Sequence, residues 1–424
     1  MKVVIVGNGI AGNQVAFRIR SQNGTDDIRI LSAESVPEYD PCSLPYYLGR
    51  SIPKKMVFRK RMADYDRHHI SLDLNAKAVA IDPGAKAVET EAGDHVEYDK
   101  LVLAHGGHLF VPPIEGIQKA GVFSCKQLSE TEKLLTHRGC KAVVIGSGAI
   151  GIEVAEALKK IGYQVAIVEV LDRILPALFD LETAKRLEAS LRECGVDVLT
   201  SEKVLAIEGD DRVERVVTDQ RTLPCDTVVI ATGVVPDTAL VKSAGIRIKR
   251  GIEVDERMQT SETDIFACGD CVETVDACTG EDAMFQLKHN ALDQASVVAA
   301  NILGEDVKYA GAYAFARVHF WHTHGATFGK TTHSTQCELG ELEIVERESG
   351  RDYLRLILKE NVLVGGQAIG RYANVIGFFI SSMRRKDNMA ELRNNWRAYC
   401  HPKAYHLWPQ RLFGEIAGVG GAIP

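Results

Sequence analysis

A β-branched apolar run, Val3 to Val6, stops at Gly7-Asn8-Gly9-Ile10-Ala11-Gly12 and gives way to apolar residues at helical spacing. The same succession returns downstream, where Ala142 to Ile145 runs into Gly146-Ser147-Gly148-Ala149-Ile150-Gly151. Each run predicts a strand and each following segment a helix, so both glycine clusters sit at a strand–turn–helix junction. A second strand follows each junction, at Ile28 to Leu31 and at Gln164 to Glu169. Short alternating segments then lead to Tyr98 through Ala104, and Cys225 to Gly233 repeats the pattern of Tyr98 to Gly106. This duplication predicts two related modules, each closed by one copy of the pattern. Thr260 to Asp270 predicts a further strand ending at Gly269-Asp270, and the alanine-rich stretch Gln286 to Leu303 a helix. From about Tyr309 the pattern changes to alternating strands, Ala314 to Phe320, Glu341 to Glu346 and Tyr353 to Leu358, marking a third, α+β domain.

The glycine spacing has a chemical reason. The first glycine of each cluster permits the tight turn, and the second lets backbone N–H groups approach a pyrophosphate. The third lets the helix pack on the strand, so that the anion meets the positive helix N-terminus. Two clusters therefore predict two bound dinucleotides, with Gly7, Gly9 and Gly12 serving one and Gly146, Gly148 and Gly151 the other.

Composition narrows the setting. A chain of 424 residues, 46% of them hydrophobic, can fill about three ordinary domains. The net charge of −7 argues against a nucleic-acid binder, but it is unevenly spread. Arg371 to Pro424 carries eight Lys/Arg against three Asp/Glu, a net of +5, which leaves −12 on residues 1–370. A strand beginning right after Lys2 leaves no room for a secretory leader, so the cytoplasm is the expected compartment. The longest late apolar stretch, Val375 to Ile380, is far short of the roughly 20 residues that span a bilayer. Ten cysteines without framework spacing read as mostly reduced thiols.

The landmarks Gly7 to Gly12, Tyr98 to Gly107, Gly146 to Gly151 with Glu153, Cys225 to Gly233, and Ile265 to Asp270 follow a familiar order. On them the chain resembles the FAD- and NAD(P)-dependent superfamily of pyridine nucleotide-disulfide oxidoreductases. The resemblance implies an α/β fold with two Rossmann-like dinucleotide-binding domains plus a C-terminal α+β domain. The FAD domain would be discontinuous, residues 1–110 and 236–306, with an NAD domain inserted at 111–235 and an interface domain at 307–424. It implies FAD at the first cluster and NAD(H) at the second, with Gly106 and Gly233 closing the two sites. Asp270 would hydrogen-bond the FAD ribityl chain, and the helix around Gln286 to Asn290 would point its N-terminus at the isoalloxazine. His105 departs from the family, which usually has threonine there. Ser32 and Glu34 are the candidates for the FAD ribose partner, and Glu34 is the choice. Glu169 falls 18 residues after Gly151, where a carboxylate accepts from ribose hydroxyls; with Asp172 it would repel a 2′-phosphate, which favours NADH over NADPH. Hydride chemistry belongs to the cofactors, and the protein supplies geometry. Glu153 resembles the family glutamate near the nicotinamide and equally fits a helix-surface charge.

The acceptor is sought in Glu38 to Gly49. Its Cys-x-Leu-Pro-Tyr-Tyr portion looks like coenzyme A-disulfide reductases and NADH oxidases, where a single cysteine, here Cys42, faces the flavin. At a helix N-terminus such a thiolate is expected to have a depressed pKa. The Pro37-Glu38-Tyr39-Asp40 portion instead looks like rubredoxin reductases and nitrite reductase flavin domains, which lack a redox cysteine. The next cysteine after Cys42 is Cys125, so a neighbouring dithiol is not expected. Cys268-Gly269-Asp270-Cys271 reads as an incidental CxxC within the FAD motif. His322 and His324 fit one face of a strand, and with His319 and His333 they lack a completing ligand, so no metal is expected. Cys400-His401-Pro402 matches the His-Pro acid/base pair only weakly. Tyr353 to Gly366 resembles the rubredoxin-reductase version, a strand pair across a turn. Arg384, Arg385, Lys386, Arg393, Trp396, Arg397, Tyr399, Trp408 and Arg411 have the composition of a docking surface, or of a homodimer face or solvated helix. The expectation is an NADH-linked FAD oxidoreductase exchanging electrons with a rubredoxin- or ferredoxin-like protein or an iron–sulfur subunit. The alternative is a single-cysteine coenzyme A-disulfide or persulfide reductase, or NADH oxidase, acting through Cys42.

Overall fold

Two parallel sheets carry the glycine clusters at corresponding places. The computed structural model describes residues 1–331 and 342–394, without the side chains of 392–394. In the first sheet the strand order is Ile265–Ala267, Lys100–Leu103, Lys2–Val6, Asp27–Leu31, Ile70–Asp73, every neighbour parallel. In the second it is Asp197–Leu199, Gln164–Val168, Lys141–Ile145, Thr227–Ile230, Val122–Ser124, again all parallel. Each apolar run read from the sequence is thus a central strand, and central strands covered by helices need apolar residues on both faces. Val3, Ile5, Val143 and Val144 are accordingly buried.

The order of strands places the binding crevices. From Lys2–Val6 the chain moves outward to one side, then returns to fill the other with Lys100–Leu103 and Ile265–Ala267. The reversal lies at the carboxyl end of the first strand, where Gly7 to Gly12 begins, and such switch points open a crevice in α/β sheets. The second sheet reverses in the same way beside Lys141–Ile145. The chain leaves the first sheet after Leu103, builds the second, and comes back with Ile265–Ala267. The helix Lys288–Ile302 then packs on the first glycine-loop helix, Ile10–Gln22, with Gln14 Nε2 donating to Ser296 Oγ at 3.3 Å.

The last sheet is antiparallel, in the order Phe315–Phe320, Thr323–Gly329, Val362–Ile369, Asp352–Lys359, Leu342–Ser349. Ile376–Arg385 closes one face of it, where Phe379 stacks on Phe328 at 6.0 Å. This sheet is tied to the second module: Trp321 N donates to Glu156 Oε1 at 2.9 Å, and Asp180 N donates to Gln367 Oε1 at 3.1 Å.

Three readings change in detail. The strand expected over Thr260 to Asp270 occupies only Ile265–Ala267. The strand expected from Glu341 is Leu342–Ser349, with Glu341 outside the described residues, and Thr323–Gly329 was not anticipated. His322 and His324 do not share a strand face: Trp321, at φ +46°, and His322 form a tight turn. His324 instead pairs across the hairpin with His319, their rings 4.5 Å apart.

Candidate functional site

The first crevice is a cleft of about 500 Å³ lined by Gly7, Gly9, Glu34, Gly106, Lys126 and Asp270, among others. Its glycines differ in what makes them glycine. Gly7 has φ +114°, and a Cβ there would stand 2.3 Å from the Ala104 carbonyl oxygen; a Cβ on Gly12 would stand 2.1 Å from the Gly7 oxygen. Those two close the turn. At Gly9 no atom of the protein lies within 4 Å of the Cβ position, so its open side is the cradle that a side chain would fill. The chemistry of the lining fits a dinucleotide that offers anionic phosphates and hydroxyl donors.

The charged groups of this cleft are crowded. The Glu34 carboxylate accepts from the Tyr39 hydroxyl at 2.9 and 3.2 Å, and burial raises its pKa. Ser32 is turned toward the Glu34 backbone, leaving Glu34 as the carboxylate of this corner. Burial also raises Asp270. Lys126, absent from the sequence reading, answers both: its charge favours the ionised forms of Asp270 and Glu34, while burial lowers its own pKa. A lone lysine after a short strand offers no pattern, and only the fold brings it to the two carboxylates.

His105 is the second group the sequence left unassigned. Its Nε2 lies 2.8 Å from the Asp237 carbonyl oxygen, which can only accept, so Nε2 carries the proton. Burial lowers its pKa below the usual 6.5, so the ring is neutral and Nδ1 holds a bare lone pair. That nitrogen is buried without a partner in the wall of the cleft. An orphaned acceptor there fits a hydroxyl-bearing ligand.

The glycine turn of the second sheet repeats that of the first. Gly146 has φ +101°, with a Cβ position 2.5 Å from the Ala231 oxygen; that of Gly151 is 2.2 Å from the Gly146 oxygen, and that of Gly148 is open. Gly106 and Gly233 occupy matching turns at φ +72° and +104°. Glu169 is only 7% exposed, its oxygens accepting from Ser147 N at 3.0 Å, Ser147 Oγ at 2.7 Å and Leu171 N at 3.0 Å. The negative charge is thereby fixed against the glycine turn. Val170 and Leu171, which follow it, are 60% and 51% exposed and supply no cation for a 2′-phosphate.

Between the crevices stands Cys42, in the turn Pro41–Ser43 whose Pro41 lines the first cleft. The expected depressed thiol is corrected: the residue is exposed, yet loss of solvent around its sulfur pushes the thiol up to about 11, the charges of Asp40 and Glu153 add to the rise, and Lys288 opposes it. The turn leads into a helix of only five residues, Leu44–Leu48, too little dipole to offset two carboxylates. Glu153, on Ala149–Lys160, is likewise raised to about 7 by burial and by Glu156. Glu156 itself is held by Lys160 at 2.8 Å and by Trp321 N.

The eight described cysteines are all free, and the Cys268 and Cys271 of the CxxC are fully buried. Among the described residues no group of three His, Cys, Asp or Glu is placed to hold a metal, and no helix is long and apolar enough to cross a membrane. In the basic region, Arg384 lies over the Tyr313 ring at 4.0 Å and Arg385 pairs with Asp387 at 2.6 Å. The side chain of Arg393, with Trp396, Arg397, Tyr399, Cys400-His401-Pro402, Trp408 and Arg411, lies outside the described residues, as does His333.

Two switch-point crevices with glycine cradles and a cysteine beside one of them define an α/β nucleotide-dependent oxidoreductase. A family profile described as pyridine nucleotide-disulphide oxidoreductase matches residues 1–295, and the chain belongs to that family, enzymes that use FAD and NAD(H). A relative named NADH oxidase, from Methanocaldococcus jannaschii, is 36% identical over 98% of both chains. A rubredoxin-NAD(+) reductase of Pseudomonas putida is 31% identical over 72% of this chain and 80% of its own. Among solved structures, an NAD-dependent persulfide reductase from A. fulgidus superposes with a TM-score of 0.87 at 32% identity, covering 93% of this chain and 79% of that one.

Three outcomes are expected. His105→Phe keeps the ring and removes the acceptor, so FAD should bind apoprotein about tenfold more weakly by flavin fluorescence quenching, the worth of one hydrogen bond; unchanged affinity would remove His105 from the site. Glu169→Gln should erode the preference for NADH over NADPH in kcat/KM, and an unaltered ratio would contradict its role. For Glu153, a folded-state pKa of about 7 against 4.5 unfolded means the folded chain binds the extra proton between those values, so its stability contribution falls as pH rises through that window. Glu153→Gln should flatten Tm against pH there; parallel profiles would show that Glu153 ionises normally.

Proposed function

We propose that this enzyme is an NADH-dependent FAD reductase that passes electrons through Cys42 to a small acceptor with a reducible sulfur–sulfur bond. The observation that carries this reading is the placement of an exposed, free cysteine on a turn whose preceding residue lines the FAD cleft. The name of one similar protein, a persulfide reductase, supports the sulfur acceptor, and that of another, an NADH oxidase, supports NADH as the donor. In this reading residues 1–110 and 236–306 bind FAD through Gly7, Gly9, Gly12, Glu34, Gly106 and Asp270. Residues 111–235 bind NADH through Gly146, Gly148, Gly151, Glu169 and Gly233, and residues 307–424 form the interface domain. The enzyme works in the cytoplasm, where thiols stay reduced.

FAD held by these residues would supply the two-electron transfer that links NADH to sulfur. Cys42 Sγ attacks one sulfur of the acceptor, displaces the other as a thiolate and is left in a mixed disulfide; two electrons from NADH then cleave that bond. The sum is one disulfide, one NADH and one proton giving two thiols and NAD⁺. In this reading Glu153, its carboxyl raised to about 7 by burial and its charge felt by the thiol, is the proton source on the Cys42 side of the site.

A protein acceptor is the second reading. It is supported by the likeness to a rubredoxin reductase and by exposed Arg384, Arg385 and Lys386. It ranks second because Arg384 and Arg385 are already engaged by Tyr313 and Asp387.

Cys42→Ser separates the two. NADH should still bleach the flavin, while turnover of coenzyme A disulfide or polysulfide falls at least about a hundredfold, the scale of losing a nucleophile. Undiminished turnover of those acceptors would sink the leading reading, and undiminished reduction of a rubredoxin- or ferredoxin-like protein alone would favour the second.

A further inference from the structure

The segment from Pro37 to Tyr47 joins two patterns that the sequence assigns to different branches, one ending in Asp40 and one beginning at Cys42. The structure sets the carboxylate of the first against the backbone N–H of the second. Asp40 heads the turn Pro41–Ser43, and its Oδ1 accepts from Cys42 N at 3.2 Å. The Asp40 charge raises the proton affinity of the Cys42 thiol and that of Lys288 lowers it. Asp40 Oδ2 is ion-paired with Lys288 Nζ and lies 3.7 Å from Arg59 Nη1. Arg59 is shared, its Nε lying 3.1 Å from Glu38 Oε1, so Lys288 is the closer cation. Lys288 opens the helix Lys288–Ile302, whose Ala291 lines the FAD cleft.

The ion pair is a dipole whose negative end lies beside the Cys42 backbone. A carboxylate close to a thiol favours its protonated form, and an ammonium beyond it favours the thiolate, though from further off. We propose that Asp40 and Lys288 are positioning residues for Cys42, with Asp40 fixing the turn that carries the sulfur and disfavouring the thiolate, and Lys288 acting as the cation that favours it. This rests on the reading of Cys42 as the electron-transfer group. On ionisation the S–H bond breaks and the proton leaves to solvent.

The two ends of the ion pair have opposite effects, which a merely structural pairing would not. Were the pair only a brace for the turn, losing either end would loosen it in the same way. The test is the rate at which iodoacetamide alkylates Cys42 in the oxidised holoenzyme, displacing iodide, followed by mass spectrometry of the Cys42 peptide from pH 6 to 10. Asp40→Asn should speed alkylation at pH 8 about tenfold, and Lys288→Gln should slow it about tenfold, each equivalent to one pKa unit. Asp40→Ser, a good capping residue that keeps the turn, should reproduce Asp40→Asn, and the flavin spectrum reports that each variant is folded. Shifts in the same direction, or rates within about twofold of the parent, would overturn the assignment. If the opposed shifts hold but Cys42→Ser leaves disulfide turnover intact, the electron-transfer reading fails and the electrostatic assignment stands. If Cys42→Ser is inactive and the shifts are missing, only the assignment fails.

Discussion

Two close backbone approaches, Gly7 against the Ala104 carbonyl and Gly146 against that of Ala231, govern where the rest of the molecule can go. Each lies at the carboxyl end of a central strand, where the neighbouring strand belongs to the returning half of the sheet. A side chain at either position would push apart the two strands whose divergence opens the crevice. With both strands held together, the helices Ile10–Gln22 and Ala149–Lys160 start at fixed points, and their first N–H groups face open cradles at Gly9 and Gly148. Everything chemical in the protein is arranged about those two cradles.

The site between them is organised by the cost of burying charge. Glu34, Asp270, Glu38 and Glu153 are carboxyls raised by burial, and the protein answers with few, shared cations. Lys126 serves Glu34 and Asp270; Arg59 serves Glu38 and Asp40; Lys288 serves Asp40. A partly buried pair is worth having only when its geometry is good, and losing one partner leaves the other uncompensated. Cys42 sits inside this network, which is why its proton affinity cannot be inferred from the short helix that follows it.

Much of this was legible along the chain. Glycine clusters after apolar runs state their structure because no other residue fits the turn, and the repeated closing pattern of Tyr98 to Gly106 and Cys225 to Gly233 marks the matching strands. The tight turn at Trp321-His322 was missed because an apolar aromatic with positive φ carries no turn signature, and with it went the pairing of His319 with His324. Lys126 was missed, and His105 was singled out without a role, because a single polar residue announces nothing about what the fold will set beside it.

By itself the sequence determined which segments become central strands, where each chain reversal demands glycine, and hence that two dinucleotide cradles exist. Those are local facts, decided by steric exclusion within a few residues. Only the tertiary structure decided that Asp40, Cys42, Lys288 and Glu153, drawn from three separate stretches, would act on one another, and that the thiol would be raised rather than depressed. Proton affinity depends on desolvation and on charges a few ångströms away, and these distances come into being only when the sheets, helices and turns are packed together.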